Sequence, residues 1–139
     1  MSWVVWALLS ALAAAATAIL AKVGVRDVNS NVATALRTAV ALVFAWGLVI
    51  ASGHLRDATQ LGRRSLVFLL LSGLATGLSW VFYFRALQLG RASQVSAVDR
   101  LSLAMTIVFA AIFLGESVSW PVAAGAVLVV AGAALIARG

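Results

Sequence analysis

The sequence predicts an all-α membrane protein of five transmembrane helices, and three observations carry that expectation. Of its 139 residues, 64 % are hydrophobic and 10 % charged, against roughly 25 % charged in a soluble domain. Mean hydropathy is +1.11. Five apolar windows, at 3–21, 32–51, 65–84, 93–114 and 120–137, approach the ~20 residues that a helix needs to cross a bilayer.

The first window, Trp3–Ala21, has no basic residue ahead of its apolar run and reads as a retained helix, not a signal peptide. Lys22 closes it. Trp3, Trp6, Ser10 and Thr17 roughly align on one face, and Ser10, Ala14 and Ala18 make a small-residue seam. The polar link KVGVRDVNS leads to the second window, Val32–Ala51, where Ser30, Thr34, Arg37 and Ala41 share a face with Thr38 adjoining. Arg37 lies about 8 Å inside this window at 1.5 Å per residue. It either snorkels to the headgroups or pairs with an acid. The acids are Asp27, Asp57, Asp99 and Glu116, and the first two lie in links. Of the remaining two, Asp99 is the expected partner, within one chain or across a dimer.

The longest and most charged loop, GHLRDATQLGRR at Gly53–Arg64, precedes the third window, Ser65–Phe84. Ser72, Thr76, Ser79 and Tyr83 step by 4, 3 and 4 there and make one polar stripe; Gly73, Gly77, Trp80 and Phe84 run beside it at the same steps. Gly73 and Gly77 form a GxxxG, which permits close helix approach in lipid. In the fourth window Ser96, Asp99, Ser102 and Thr106 share a face, with Arg100 turned about 100° from Asp99. Mid-bilayer charges cost roughly 2.5–3.5 kcal/mol each on insertion scales. Two readings stand: Asp99 and Arg100 cap and snorkel near the headgroups, or they belong to a polar stripe lining a path. The matching stripes elsewhere favour the path. The fifth window, Trp120–Ala137, has no polar side chain beyond the tryptophan nitrogen, and its Gly125 and Gly132 suit packing. Four helices therefore line something, and the fifth is peripheral or at an interface.

Composition excludes several classes. The net charge of +6 would suggest nucleic acid in a soluble chain, but here the basic residues mostly flank apolar runs, which points to lipid headgroups. Nucleic-acid binding has no motif behind it. There is no cysteine, the single histidine, His54, lies in a loop, and no paired carboxylates, metal cluster or phosphate-binding glycine loop stands out. The reading is not an enzyme, with no cofactor and no metal. With the N-terminus outside, five basic residues (Lys22, Arg26, Arg85, Arg91, Arg138) fall inside and three (Arg56, Arg63, Arg64) outside. So weak a bias allows insertion in both orientations. Two inverted copies would place ten helices around a midplane site, a common transporter plan.

The chain resembles the EamA branch of the drug/metabolite transporter superfamily, specifically its short, single-repeat members. The resemblance rests on SALAAAATAILAKVGV, LRTAVAL around Arg37, LSGLATGLSWVFYFRALQLGRAS, VDRLSLAMTIVFAAIFLGE and the closing GAVLVVAGAALI. It covers essentially the whole chain as one EamA-like repeat. It implies an inner (plasma) membrane carrier of bacterial or archaeal origin that moves metabolites or drugs, mostly outward, and works as an antiparallel homodimer. The related small multidrug transporters use a glutamate in the first span. This first span has no acid, so proton coupling, if present, falls to Asp99 or Glu116, and Glu116 suits a structural terminus better.

The favoured function is transport of a small metabolite by alternating access. Arg37 and Arg100 attract an anionic group or hold a salt bridge, and Asp99 binds a cationic group or a proton. Ser72, Thr76, Ser79 and Tyr83 replace water around the solute, Trp80 stacks on it, and Gly73 and Gly77 let helices slide. Ser102 and Thr106 extend the Asp99 face. The alternative is a non-transporting membrane subunit whose small-residue seams pack against a partner protein.

Overall fold

A computed structural model of the chain describes residues 2–139. Among them the regular structure is helical: α1 (Trp3–Gly24), α2 (Ser30–Ala51), a 3₁₀ helix (His54–Thr59), α3 (Arg63–Leu89), α4 (Ala92–Asp99), α5 (Leu101–Phe109), a π turn (Ala110–Leu114) and α6 (Trp120–Arg138). Five candidate membrane spans result, with α4, α5 and the π turn counting as one. Several helices outrun their apolar windows. α3 begins at Arg63 and ends at Leu89 because backbone bonding continues through charged residues whose long side chains reach away from the apolar stretch.

The ends are set by local chemistry. Asn29 caps α2, its side chain accepting from the Asn31 N–H at 2.9 Å. Pro121 sits in the first turn of α6, where a missing N–H costs nothing. Gly115 takes φ +69°, and the Glu116 N–H reaches back to the Ala110 carbonyl at 3.2 Å. This is a glycine-terminated cap widened by one residue, as a π turn requires. Glu116 therefore stands at a helix end.

The described chain forms two compact units, one of residues up to 22 with 89–139, and one of residues 23–88. In the second, α2 and α3 run antiparallel, and the buried residues Val25, Ser30, Thr34, Phe84 and Leu87 all fall towards one end. Towards the 3₁₀ helix, Val40, Val43, Phe44, Phe68, Leu70 and Leu74 are exposed, as befits lipid-facing positions. In the first unit α6 packs on α4 and α5, with Ala133 buried. An open groove of about 610 Å³ runs between α5 and α6, lined only by alanine, valine and isoleucine. Its chemistry suits hydrocarbon, not a polar solute.

The fourth span is not the continuous helix assumed for its stripe. The Arg100 N–H donates to Ala97 and the Leu103 N–H to Arg100, each three residues back. Tightening to ~3.0 residues per turn adds roughly 20° per residue. Ser102 and Thr106 are therefore rotated from the Ser96–Asp99 face by tens of degrees.

Candidate functional site

Within residues 23–88 the charged centre is Arg37. Its position ~10 Å along α2 from Ser30 places it well inside the span. The guanidinium carbon lies over the Trp80 ring at 4.6 Å from the centroid and over Phe84 at 5.4 Å. Trp80 and Phe84 are four residues apart on α3, so one helix face supplies both rings. Phe84 is buried, and Tyr83 meets it edge-on at 6.4 Å and 79°. Two π faces beside a cation stabilise it by ~0.5–2 kcal/mol each, more where water is excluded.

The hydroxyls nearby are already committed as donors. Thr34 donates to the Ser30 carbonyl at 2.8 Å, Thr38 to Thr34 at 2.8 Å and Thr76 to Ser72 at 2.9 Å. Their outward lone pairs remain acceptors. Ser72, Thr76 and Ser79 are exposed on the chain's own surface, while Tyr83 is half-buried. On the neighbouring face a Cβ added at Gly73 or Gly77 would meet no atom within 4 Å. The same holds at Gly125 and Gly132 on α6. These glycine faces are thus open within the described structure.

Gln88 ties down the closed end. Its side-chain amide donates to the Val28 carbonyl at 2.7 Å and the Val25 carbonyl at 3.2 Å, while Arg85 holds its oxygen at 3.1 Å. The link between α1 and α2 is thereby fixed to the end of α3.

In the unit of residues 1–22 and 89–139, Asp99, Arg100, Ser102 and Thr106 are exposed at the kink, and Thr106 donates to the Ser102 carbonyl at 2.8 Å. Lys22 donates to the Gly90 carbonyl at 2.7 Å and Gln94 to Ala137 at 3.4 Å. The expected site residues thus fall into two groups, Arg37 with Trp80 beside the α3 stripe, and the exposed residues on either side of the Arg100 break. Phe84 and Gln88 were not expected in these roles. The four-residue step from Trp80 was the signal for Phe84; Gln88 carries none, since a glutamine at a span's end reads as loop. Among the described residues no group of His, Cys, Asp or Glu gathers to hold a metal ion.

The chain is similar in sequence to known proteins. The EamA-like transporter family matches residues 1–138. A Sinorhizobium protein named as an uncharacterized transporter in the cobO 3' region is 47 % identical over 136 residues, covering 98 % of this chain and 96 % of its own. No solved structure matches. With five apolar helices long enough to cross a membrane and a family match over essentially its full length, the chain belongs to the EamA-like transporter family, a multi-pass membrane transporter.

Proposed function

We propose that this chain carries small metabolites or drugs outward across the inner membrane by alternating access, as an antiparallel homodimer of ten helices. The observation that carries the reading is the exposure of two polar faces within one bilayer-spanning chain. Ser72, Thr76 and Ser79 form the first; the second is the exposed polar surface about the Arg100 break, with Asp99 and Arg100 before it and Ser102 and Thr106 turned from them beyond it. Polar and charged groups left against hydrocarbon are costly, and a second copy enclosing a wet path would relieve both faces.

Five spans are few to surround a solute, while two inverted repeats meeting near the midplane suffice. Arg37 and Arg100 serve as anion-attracting groups, and Asp99 binds a cation or proton and competes for Arg37 from the same or the other copy. Ser72, Thr76, Ser79 and Tyr83 solvate the cargo, and Trp80 lies against it. Gly73, Gly77, Gly125 and Gly132, with open space at each Cβ, are contact points for the second copy or the cargo.

Thiol accessibility tests the path. The chain has no cysteine, so Ser79→Cys introduces a single thiol. A membrane-impermeant reagent reaches it if Ser79 faces an aqueous path and leaves it unmodified if Ser79 faces lipid.

A further inference from the structure

We propose that the cluster of Arg37, Trp80 and Phe84 recognises organic monocarboxylates with a flat apolar body. The carboxylate takes the guanidinium N–H groups, and the body lies along Gly77 and Gly73. The inference rests on the carrier reading and narrows it to a substrate class.

The arginine guanidinium is a planar fork of N–H donors. Within residues 23–88 the contacts of Arg37 are to ring faces, Trp80 at 4.6 Å and Phe84 at 5.4 Å. A ring satisfies the cation's charge but accepts few hydrogen bonds, so the five in-plane N–H donors keep their bonding capacity. The Thr34 and Thr38 hydroxyl hydrogens point into their own helix. The N–H donors at this level are those of Arg37 and the Trp80 indole. The complement of a fork of N–H groups is a planar oxyanion held by two parallel bonds. A single charge is the right count, because one carboxylate leaves the pair neutral whereas a phosphate dianion leaves excess charge inside the membrane.

The body of the ligand is set by the space beside the cluster. The α3 face that presents Phe84 and Trp80 to Arg37 continues as Gly77 and Gly73, both with open space at Cβ. On α2, Ala41 lies one turn beyond Arg37 and comes level with Gly77 at equal rise per residue. Gly77 puts no side chain there and its Cβ position is open, so this glycine face beside Trp80 is the slot assigned to the body. A flat apolar group fits that description, and an ammonium group is repelled by Arg37.

The test is calorimetric titration of the purified full chain in lipid nanodiscs with benzoate, benzamide, benzylammonium and inorganic phosphate. Benzoate binds, and the other three bind about tenfold or more weakly. Arg37→Gln weakens benzoate by a similar factor, and Arg37→Lys falls between. If Arg37→Gln fails to fold, Gly77→Leu serves instead, since it fills the slot without touching the cation and likewise weakens benzoate. Equal binding of benzoate and benzylammonium, full affinity in Arg37→Gln or Gly77→Leu, tighter binding of phosphate, or no benzoate binding overturns the proposal. The Ser79→Cys accessibility separates the two readings. A labelled Ser79→Cys without benzoate binding defeats the substrate class alone, whereas an unlabelled one defeats the carrier.

Discussion

The Arg37 guanidinium of α2 lies over the Trp80 ring of α3, 4.6 Å from its centroid, with Phe84 at 5.4 Å completing the contact. A cation deep in a span is thereby held by two rings of the neighbouring helix. Trp80→Ala should lower unfolding stability in micelles by ~0.5–2 kcal/mol beyond the effect of Trp80→Phe, which keeps a ring. Equal stability of the two variants would show that the ring face contributes nothing to holding Arg37.

Gln88 should matter as a donor. Gln88→Leu leaves the Val25 and Val28 carbonyls without their side-chain partner; the Val28 bond is exposed and the Val25 bond part-buried, so the cost is ~0.5–1.5 kcal/mol. Gln88→Glu has no hydrogen to offer and should behave similarly. The readout is tryptic cleavage at the exposed Arg26 in the α1–α2 link, which should accelerate in both variants. Unchanged cleavage would remove the latch.

The open space at Gly77 separates two kinds of packing. Gly77→Ala should fold as well as the parent or better, since alanine gains up to ~1 kcal/mol over glycine inside a helix and its Cβ meets nothing within the chain. Gly77→Leu should fold and yet lose transport. A Gly77→Leu chain that misfolds would place a neighbour of the same chain at this face.

Arg37 and Asp99 should be linked in function. Neutralising either one should impair transport, and exchanging them as Arg37→Asp with Asp99→Arg should restore part of it. Normal transport by both neutral single variants would sink the pairing. Normal transport by Asp99→Asn would by itself remove any coupling role for that carboxylate.

Much of this was legible in the residues. Five apolar windows named five candidate spans, and the helices run past the windows to Gly24, Ser30, Arg63, Leu89, Ala92 and Arg138, since hydropathy reads side chains while helices end by backbone capping. The 4, 3, 4 steps placed Trp80 and Phe84 on one face. That this face receives Arg37 was not legible, because helix arithmetic gives a side chain's direction on its own helix and not which helix it meets. The kink at Arg100 escaped for a related reason: a stripe counted at 100° per residue presumes the bonding pattern that Ala97, Arg100 and Leu103 break. Gln88 acquires its role only from the tertiary approach of the 25–29 link.

An antiparallel pair of identical chains requires that copies insert in both orientations. Gln60→Cys puts the only thiol of the chain in its longest loop, at an exposed position. Intact cells are labelled with a membrane-impermeant thiol reagent before and after permeabilisation. About half the copies should label from outside and the rest only after permeabilisation, as inverted repeats of one sequence require. Labelling that is all or none would mean that every copy points the same way, and the antiparallel homodimer would be contradicted.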